Sequence, residues 1–566
     1  MADHRVALAA PQTHRYAVTL RLARPAPLQR FSLPVWAPGS YVIRDFARHL
    51  SGWSARQGER VLAVEQVDLS RWQVACSGDE DLVVDYEVYA FDPSVRGAWL
   101  DGARGFVNGP ALFLCAEGRA DEPQRVAFDA VPAGWQVATA MAAKEGHGGG
   151  FVAADYAELI DHPFALGPLW RAPFEAGGVA HELCVAGAWP SFDGARLVAD
   201  LQRLCETHVA FWGEAPMARY VFLLHAGEDG YGGLEHRCSS ALTAPRRDLP
   251  RRGEANLGEG AVGVLGLASH EYFHAWNGAR LKAPEYVAPR LDAACPSPLL
   301  WFYEGFTSYY EDLLLLRSGL VDRTRYLKLL ARPINAVRAA PGRFVHSLAD
   351  ASFEAWTKFY RRDENTPNAT VSYYDQGALV ALLADLALRR AGRSLDDAMR
   401  TLWRRGPPAD AAAIAAALGE PVAADVSRWV HGRGELPLAE ALAAFGVKLR
   451  DEPPSLAARL GLRVSEGPVS GVQVRQVLRG SAAEAAGLAA GDELLAADGW
   501  RLRRLDDALQ WVAPGAAFEL LLARDQRVLT VSVALPSEAA APGVGLLLDE
   551  GADAGALARR RAWLGG

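Results

Sequence analysis

The sequence is short of sulfur, of long apolar runs and of excess positive charge. Only six cysteines and four methionines occur in 566 residues. The cysteines (Cys76, Cys115, Cys184, Cys205, Cys238, Cys295) form no CxxC pair and read as free thiols of a cytosolic protein. No apolar stretch approaches the roughly 18 residues that a membrane span needs. The opening "MADHRVALAAPQTHRYAVTLRL" lacks a basic region followed by an apolar core and a cleavage site. No signal peptide is read there, and a cytoplasmic location is expected. Lys and Arg number 59 against 67 Asp and Glu, a net charge of -8, so nothing points to nucleic acid. No internal repeat is present.

What remains is an ordinary globular composition, 50% hydrophobic and 22% charged. The chain is too long for one core and predicts about three or four domains. Up to about 170 it reads as strands. Tyr16, Val18, Leu20 and Leu22 alternate with a period of two, and Val84, Tyr86, Val88 and Ala90 do so less cleanly. From about 175 to 445, amphipathic or buried helices appear at 194–214, 265–278, 302–319 and 373–392, with short strands such as 219–227 before them. Strands return at 455–536. The Ala- and Gly-rich end reads as a loosely held tail. The expectation is a multidomain α+β protein: an N-terminal antiparallel β-domain (1–172), a mainly helical catalytic domain (173–450), a third small domain (451–540) and a tail (541–566).

The chemistry sits in "LGLASHEYFHAWNG" (265–278). On a helix, His270 and His274 lie one turn apart on one face. Two neutral imidazoles at that spacing can hold one zinc ion. Glu271 projects near the open coordination position, where it can take a proton from an activated water. HExxH arises by chance in roughly 2 of 100 such chains, so context decides. Here the motif lies in an apolar helix, where unpaired polar groups would cost several kcal/mol. A catalytic zinc needs a third ligand. Glu304, in the aromatic segment "WFYEGFTSYYED", is the best candidate; the alternative is a carboxylate at a helix N-terminus. Glu311, two turns on, could accept a hydrogen bond from a ligand histidine, or simply be solvated.

HExxH followed by a downstream "EGF" helix resembles the gluzincin metallopeptidases, with their thermolysin-like catalytic domain. "GGLEH" (232–236) resembles the GxMEN segment of aminopeptidases in that clan, with His236 in place of the asparagine. The match gives Glu235 the role of binding the substrate's α-amine. Gly232 and Gly233 would let the backbone approach an extended peptide. "SYYDQG" (372–377) resembles their YxxG segment and assigns Tyr374 to the tetrahedral intermediate; Tyr373 could replace it. The longer spacing between His274 and Glu304 points to a neighbouring family, the glycyl aminopeptidases with a PDZ domain. "LPVWAPGSYVIRDF" (33–46) and "SHEYFHAWNGARLKAPE" (269–285) resemble that family's N-terminal signature and zinc helix. "AGLAAGDELLAADG" (486–499) resembles a bacterial PDZ segment, with Leu460, Gly461 and Leu462 as the loop that would hold a peptide carboxylate.

The resemblance implies a zinc aminopeptidase that removes a small first residue, glycine or alanine, using one zinc ion and Glu271 as general base. Its expected partners are peptides with a free N-terminus, and a C-terminal peptide on the PDZ domain unless that domain only packs on the catalytic one. Three alternatives stay open. They are an endopeptidase fed by the PDZ domain, a peptide-binding scaffold without chemistry, and hydrolysis of a non-peptide ester or epoxide.

Overall fold

The computed structural model describes residues 1–144, 149–537 and 542–565. The chain forms two compact units. One takes 1–295 with 317–320 and 402–409; the other takes 296–316, 321–401 and the chain from 410 onward.

The first unit begins with β-structure. An eight-stranded sheet has Ala2–Ala7, Arg15–Leu22 and Leu82–Tyr89 at its centre, and two four-stranded sheets accompany it. Pairing is antiparallel except between Ala2–Ala7 and Gln124–Asp129, which run parallel. The two alternating stretches bury the expected faces: Tyr16, Val18, Leu20 and Leu22 join Val84, Tyr86 and Val88 in one core. A five-stranded sheet follows in the order Trp170–Ala176, Val179–Ala186, Arg219–Gly227, Ser239–Pro245, Gly232–Glu235. The helix Gly194–Trp212 makes the parallel crossover between its second and third strands. The HExxH motif lies on the helix Glu259–Phe273, with His274 as its last turn's cap.

The boundary expected at 172 falls inside the strand Trp170–Ala176. The reason is packing. Ala138 of the β-domain shares a buried cluster with Cys184, Val221 and Leu223 of the five-stranded sheet, and Val95 and Phe106 share another with Leu234 and Ala241. The β-domain and this sheet are thus one folded body.

In the second unit, the helices Leu300–Arg317 and Asp375–Arg390 cross at two glycines. A β-carbon on Gly305 would sit 2.4 Å from the Gly377 Cα, so only glycine permits this approach. That contact fixes the turn bearing Glu304 against the turn that follows Tyr374. The PDZ sheet has the order Leu462–Gly467, Gly471–Val477, Glu493–Ala497, Ala517–Arg524, Arg527–Ala534. Its hairpin turns at Asp498-Gly499 and Asp525-Gln526, all four with positive φ. Two asparagines pin C-terminal strands to the helices. Asn368 donates to the Val477 carbonyl at 2.9 Å and accepts from Arg479 N–H at 2.8 Å. Asn335 treats Val544 the same way, at 2.9 and 2.8 Å.

The tail corrects an expectation: it is not loosely held. Val544–Leu548 pairs antiparallel with Val447–Asp451, a strand that spans the boundary expected at 450. The helix Ala554–Leu564 buries Trp563, 1% exposed, whose Nε1 donates to the Tyr309 hydroxyl at 3.0 Å. Alternating apolar residues in "VGLLL" and one tryptophan supply the apolar surface that composition alone hid. The boundary expected at 540 lies outside the described residues.

Candidate active site

His270 and His274 face each other as the helical spacing requires. Their Nε2 atoms are 3.1 Å apart. The Nδ1 of His274 is 2.7 Å from the Asn277 carbonyl. That carbonyl can only accept, so Nδ1 carries the proton and Nε2 presents its lone pair. The chain turns back there through Gly278, whose φ of +119 is open to glycine and whose β-carbon would sit 3.0 Å from His274 Nδ1. One ligand atom each from His270, His274 and Glu304 lie within 4.8 Å of one another, and all three residues are buried. Two nitrogens and a carboxylate oxygen are the donor set of a catalytic zinc, and the fixed His274 tautomer fits it.

Two more buried histidines hold the back of the motif helix. His181 Nε2 meets the Tyr272 hydroxyl at 2.9 Å, and His208 Nε2 meets the Ser269 hydroxyl at 3.0 Å. Burial lowers their pKa values to about 4 and about 3, so both are neutral.

Glu271 is 5% exposed. The edge strand Gly232–Glu235 runs against it: a β-carbon on Gly233 would sit 2.1 Å from Glu271 Oε1. Gly233 thus makes room for the motif's carboxylate, a closer reason for glycine than the approach of a peptide. Its carbonyl accepts from Arg96 Nη2 at 2.8 Å. Gly232 lies beside the same guanidinium, its β-carbon position 3.5 Å from Arg96 Nη1. Glu235 is half-buried, and its carboxylate lies under the Gly39 backbone, where a β-carbon would be 2.5 Å from Oε2.

Tyr373 is fully buried. Burial, then Tyr360 and Glu304, push its phenol far above the ordinary value. Tyr374 is half-buried, and its hydroxyl is 3.3 Å from that of Tyr360. Glu311 is half-buried on the Glu304 helix, and its charge helps to raise the Asp375 carboxyl behind the dominant effect of burial. In the PDZ domain, Leu460 and Leu462 belong to the core. The Gly461 carbonyl accepts from Leu478 N–H at 2.8 Å, and its own N–H donates to the Ala458 carbonyl at 3.3 Å. Of these two Gly461 groups, only the N–H is a donor that a peptide carboxylate could use, and it is already turned to Ala458. Asn277, Gly278, Gly39 and Arg96 went unread in the sequence. Only "WAPGSY" and "WNG" carried a signal, as turn residues inside the motifs that carry the family resemblance rather than as parts of the site.

The fold and the HExxH helix with its downstream glutamate define a metallopeptidase. Three family models match the chain: the peptidase M61 N-terminal domain over 3–168, the M61 glycyl aminopeptidase over 263–380 and a PDZ domain over 473–524. The solved structure of an aminopeptidase N family protein from Idiomarina loihiensis is 33% identical, covers 100% of both chains and has a TM-score of 0.94. The chain belongs to the M61 glycyl aminopeptidase family and is a peptidase with a PDZ domain. A mutant M1 zinc metallopeptidase from Deinococcus radiodurans, solved with a Tyr-Ser-Ala substrate, shares the fold: 15% identity, TM-score 0.50, 77% of this chain and 94% of that one. No curated protein sequence matches the chain. All six cysteines are free. Among the described residues no helix is long and apolar enough to cross a membrane.

Proposed function

We propose that the protein is a zinc aminopeptidase that removes a small N-terminal residue, glycine or alanine, from peptides. The observation that carries this reading is the convergence of the His270, His274 and Glu304 ligand atoms within 4.8 Å, one residue from a buried Glu271. These three residues would hold a single zinc ion. Bound zinc would supply Lewis acidity, polarising the scissile carbonyl and bringing the pKa of a water to about 7.

The chain's own groups do the rest. Glu271 takes the proton of the attacking water and delivers it to the leaving amine. Tyr374 donates to the developing oxyanion, a contribution worth about 3–4 kcal/mol where such donors have been removed. Its partial exposure supports this choice over the sealed Tyr373. Glu235 pairs with the substrate's ammonium and so fixes where the chain must begin. Glu311 orients a ligand histidine.

The test is hydrolysis of Gly- and Ala-p-nitroanilide beside an N-acetylated analogue, with zinc content measured. Wild type should cleave only the free-amine substrates. Glu271→Ala should keep zinc and lose activity. Equal cleavage of the acetylated substrate would transfer the reading to an endopeptidase.

A further inference from the structure

The edge strand Gly232–Glu235 is a poor platform on its own. It has four residues, two of them glycine, and among the described strands it pairs with Ser239–Pro245 alone. Glycine adds backbone freedom, and an unpaired edge removes half the ladder that would restrain it. Yet this strand carries Glu235 and packs on Glu271.

Besides its pairing to Ser239–Pro245 and the Arg280 Nη1 bond to the Arg237 carbonyl at 2.7 Å, four contacts from the β-domain restrain it. Arg96 donates to the Gly233 carbonyl at 2.8 Å. Val95 and Phe106 pack on buried Leu234. The left-handed Gly39, φ +81, lies against the Glu235 carboxylate. Asp161, just after the helix Tyr156–Ile160, takes the turn that follows: Oδ2 accepts from Arg237 N–H at 3.1 Å, and Oδ1 is 3.4 Å from His236 Nδ1. His236 is 4% exposed, so the pairing is buried on the histidine side, while the Asp161 side chain keeps 22% of its exposure. Burial alone would raise the Asp161 carboxyl; the hydrogen bond from His236, then the charges of His236, His162 and Arg237, outweigh it and hold it below its usual value.

We propose that Asp161 is a positioning residue for substrate recognition. Through His236 and Arg237 it holds the edge strand so that Glu235 meets the substrate's amine, and the β-domain thereby becomes part of the specificity device. This rests on Glu235 being the amine anchor. The histidine in "GGLEH" then has a reason: it gives a charged partner in the β-domain something to grip.

Asp161→Asn is nearly isosteric and keeps an acceptor for Arg237 N–H while removing the charge beside His236. With Gly-p-nitroanilide it should raise KM about 10-fold and leave kcat within about 2-fold, because the displaced group binds substrate and does not move protons. Thermal stability should stay close to wild type. Glu235→Gln should also raise KM, and the double variant should be no worse than Glu235→Gln alone, since both act on one contact. Two results would overturn the proposal: an unchanged KM in Asp161→Asn, or full multiplication of the two effects. His236→Gln, which breaks the same link from the other side, should reproduce the KM rise; a loss of kcat without it would also overturn the proposal. If Glu235→Gln itself leaves KM unchanged, the amine-anchor reading has failed, and that is seen before Asp161 is tested.

Discussion

Replacing Gly233 with alanine isolates Glu271, the proposed general base, without altering it. The new β-carbon would lie 2.1 Å from Oε1, 2.4 Å from Cδ and 2.5 Å from Cγ of Glu271. Carbon and oxygen in contact need about 3.4 Å or more, so the carboxylate must move by at least about 1 Å. The strand has little freedom to yield instead, because Arg96 and the pairing to Ser239–Pro245 hold it. A positioned general base contributes typically about 10²–10⁴-fold, and a 1 Å misplacement can cost about 10²-fold. The expected fall in kcat is therefore about 10²-fold or more. The proposed ligands His270 and His274 should be spared. Their helix is held from behind by Tyr272 and Ser269, and His274 is fixed by the Asn277 carbonyl. Zinc content should stay at the wild-type level. The assay is kcat on Gly-p-nitroanilide with metal analysis by mass spectrometry, in Gly233→Ala, Glu271→Ala and the double variant. The double should be no slower than Glu271→Ala. A Gly233→Ala enzyme within 3-fold of wild type would refute the reasoning, since an acting base could not be pushed aside without consequence.

Two further outcomes follow from the fold. Trp563→Ala removes a buried indole and its bond to Tyr309, and should cost about 3–5 kcal/mol, read as a lowered denaturant midpoint; an unchanged midpoint would mean the tail is dispensable. His4 is fully buried, and burial, opposed by its bond to Gln124, lowers its pKa from 6.5 to about 4. The unfolded chain takes up a proton near pH 6.5 that the folded chain resists until about pH 4, so stability should fall with pH across that window, by about 3 kcal/mol from this group. A His4→Gln variant should show a shallower loss of melting temperature between pH 6.5 and 4.

The residues proposed for the chemistry were legible because that chemistry would restrict them. HExxH, the downstream glutamate and the YxxG tyrosine are rare groups at spacings that a helix or a turn imposes, and each stands out in apolar surroundings. The alternating strands were legible for the same kind of reason: a period of two is visible in Tyr16 to Leu22 without knowing what covers it.

What stayed hidden was set by partners far away in sequence. Trp170–Ala176 reads as a boundary because nothing local says that Ala138 will share a core with Cys184. Gly39 and Asp161 are unremarkable until residues 196 and 75 positions further on are brought against them. The tail has a tryptophan and a short apolar run, too little for a domain, yet enough to complete one that already exists. A motif reports what a segment must do by itself; it cannot report which other segment holds it in place. That division is physical: ligands need particular atoms, whereas positioning needs only the right distance, which a glycine, a carbonyl or a buried aspartate supplies equally well. If Glu235 anchors the substrate amine as proposed, the residues setting substrate preference need not lie in any motif, and the β-domain contacts to Gly232–Glu235 are the place to test this.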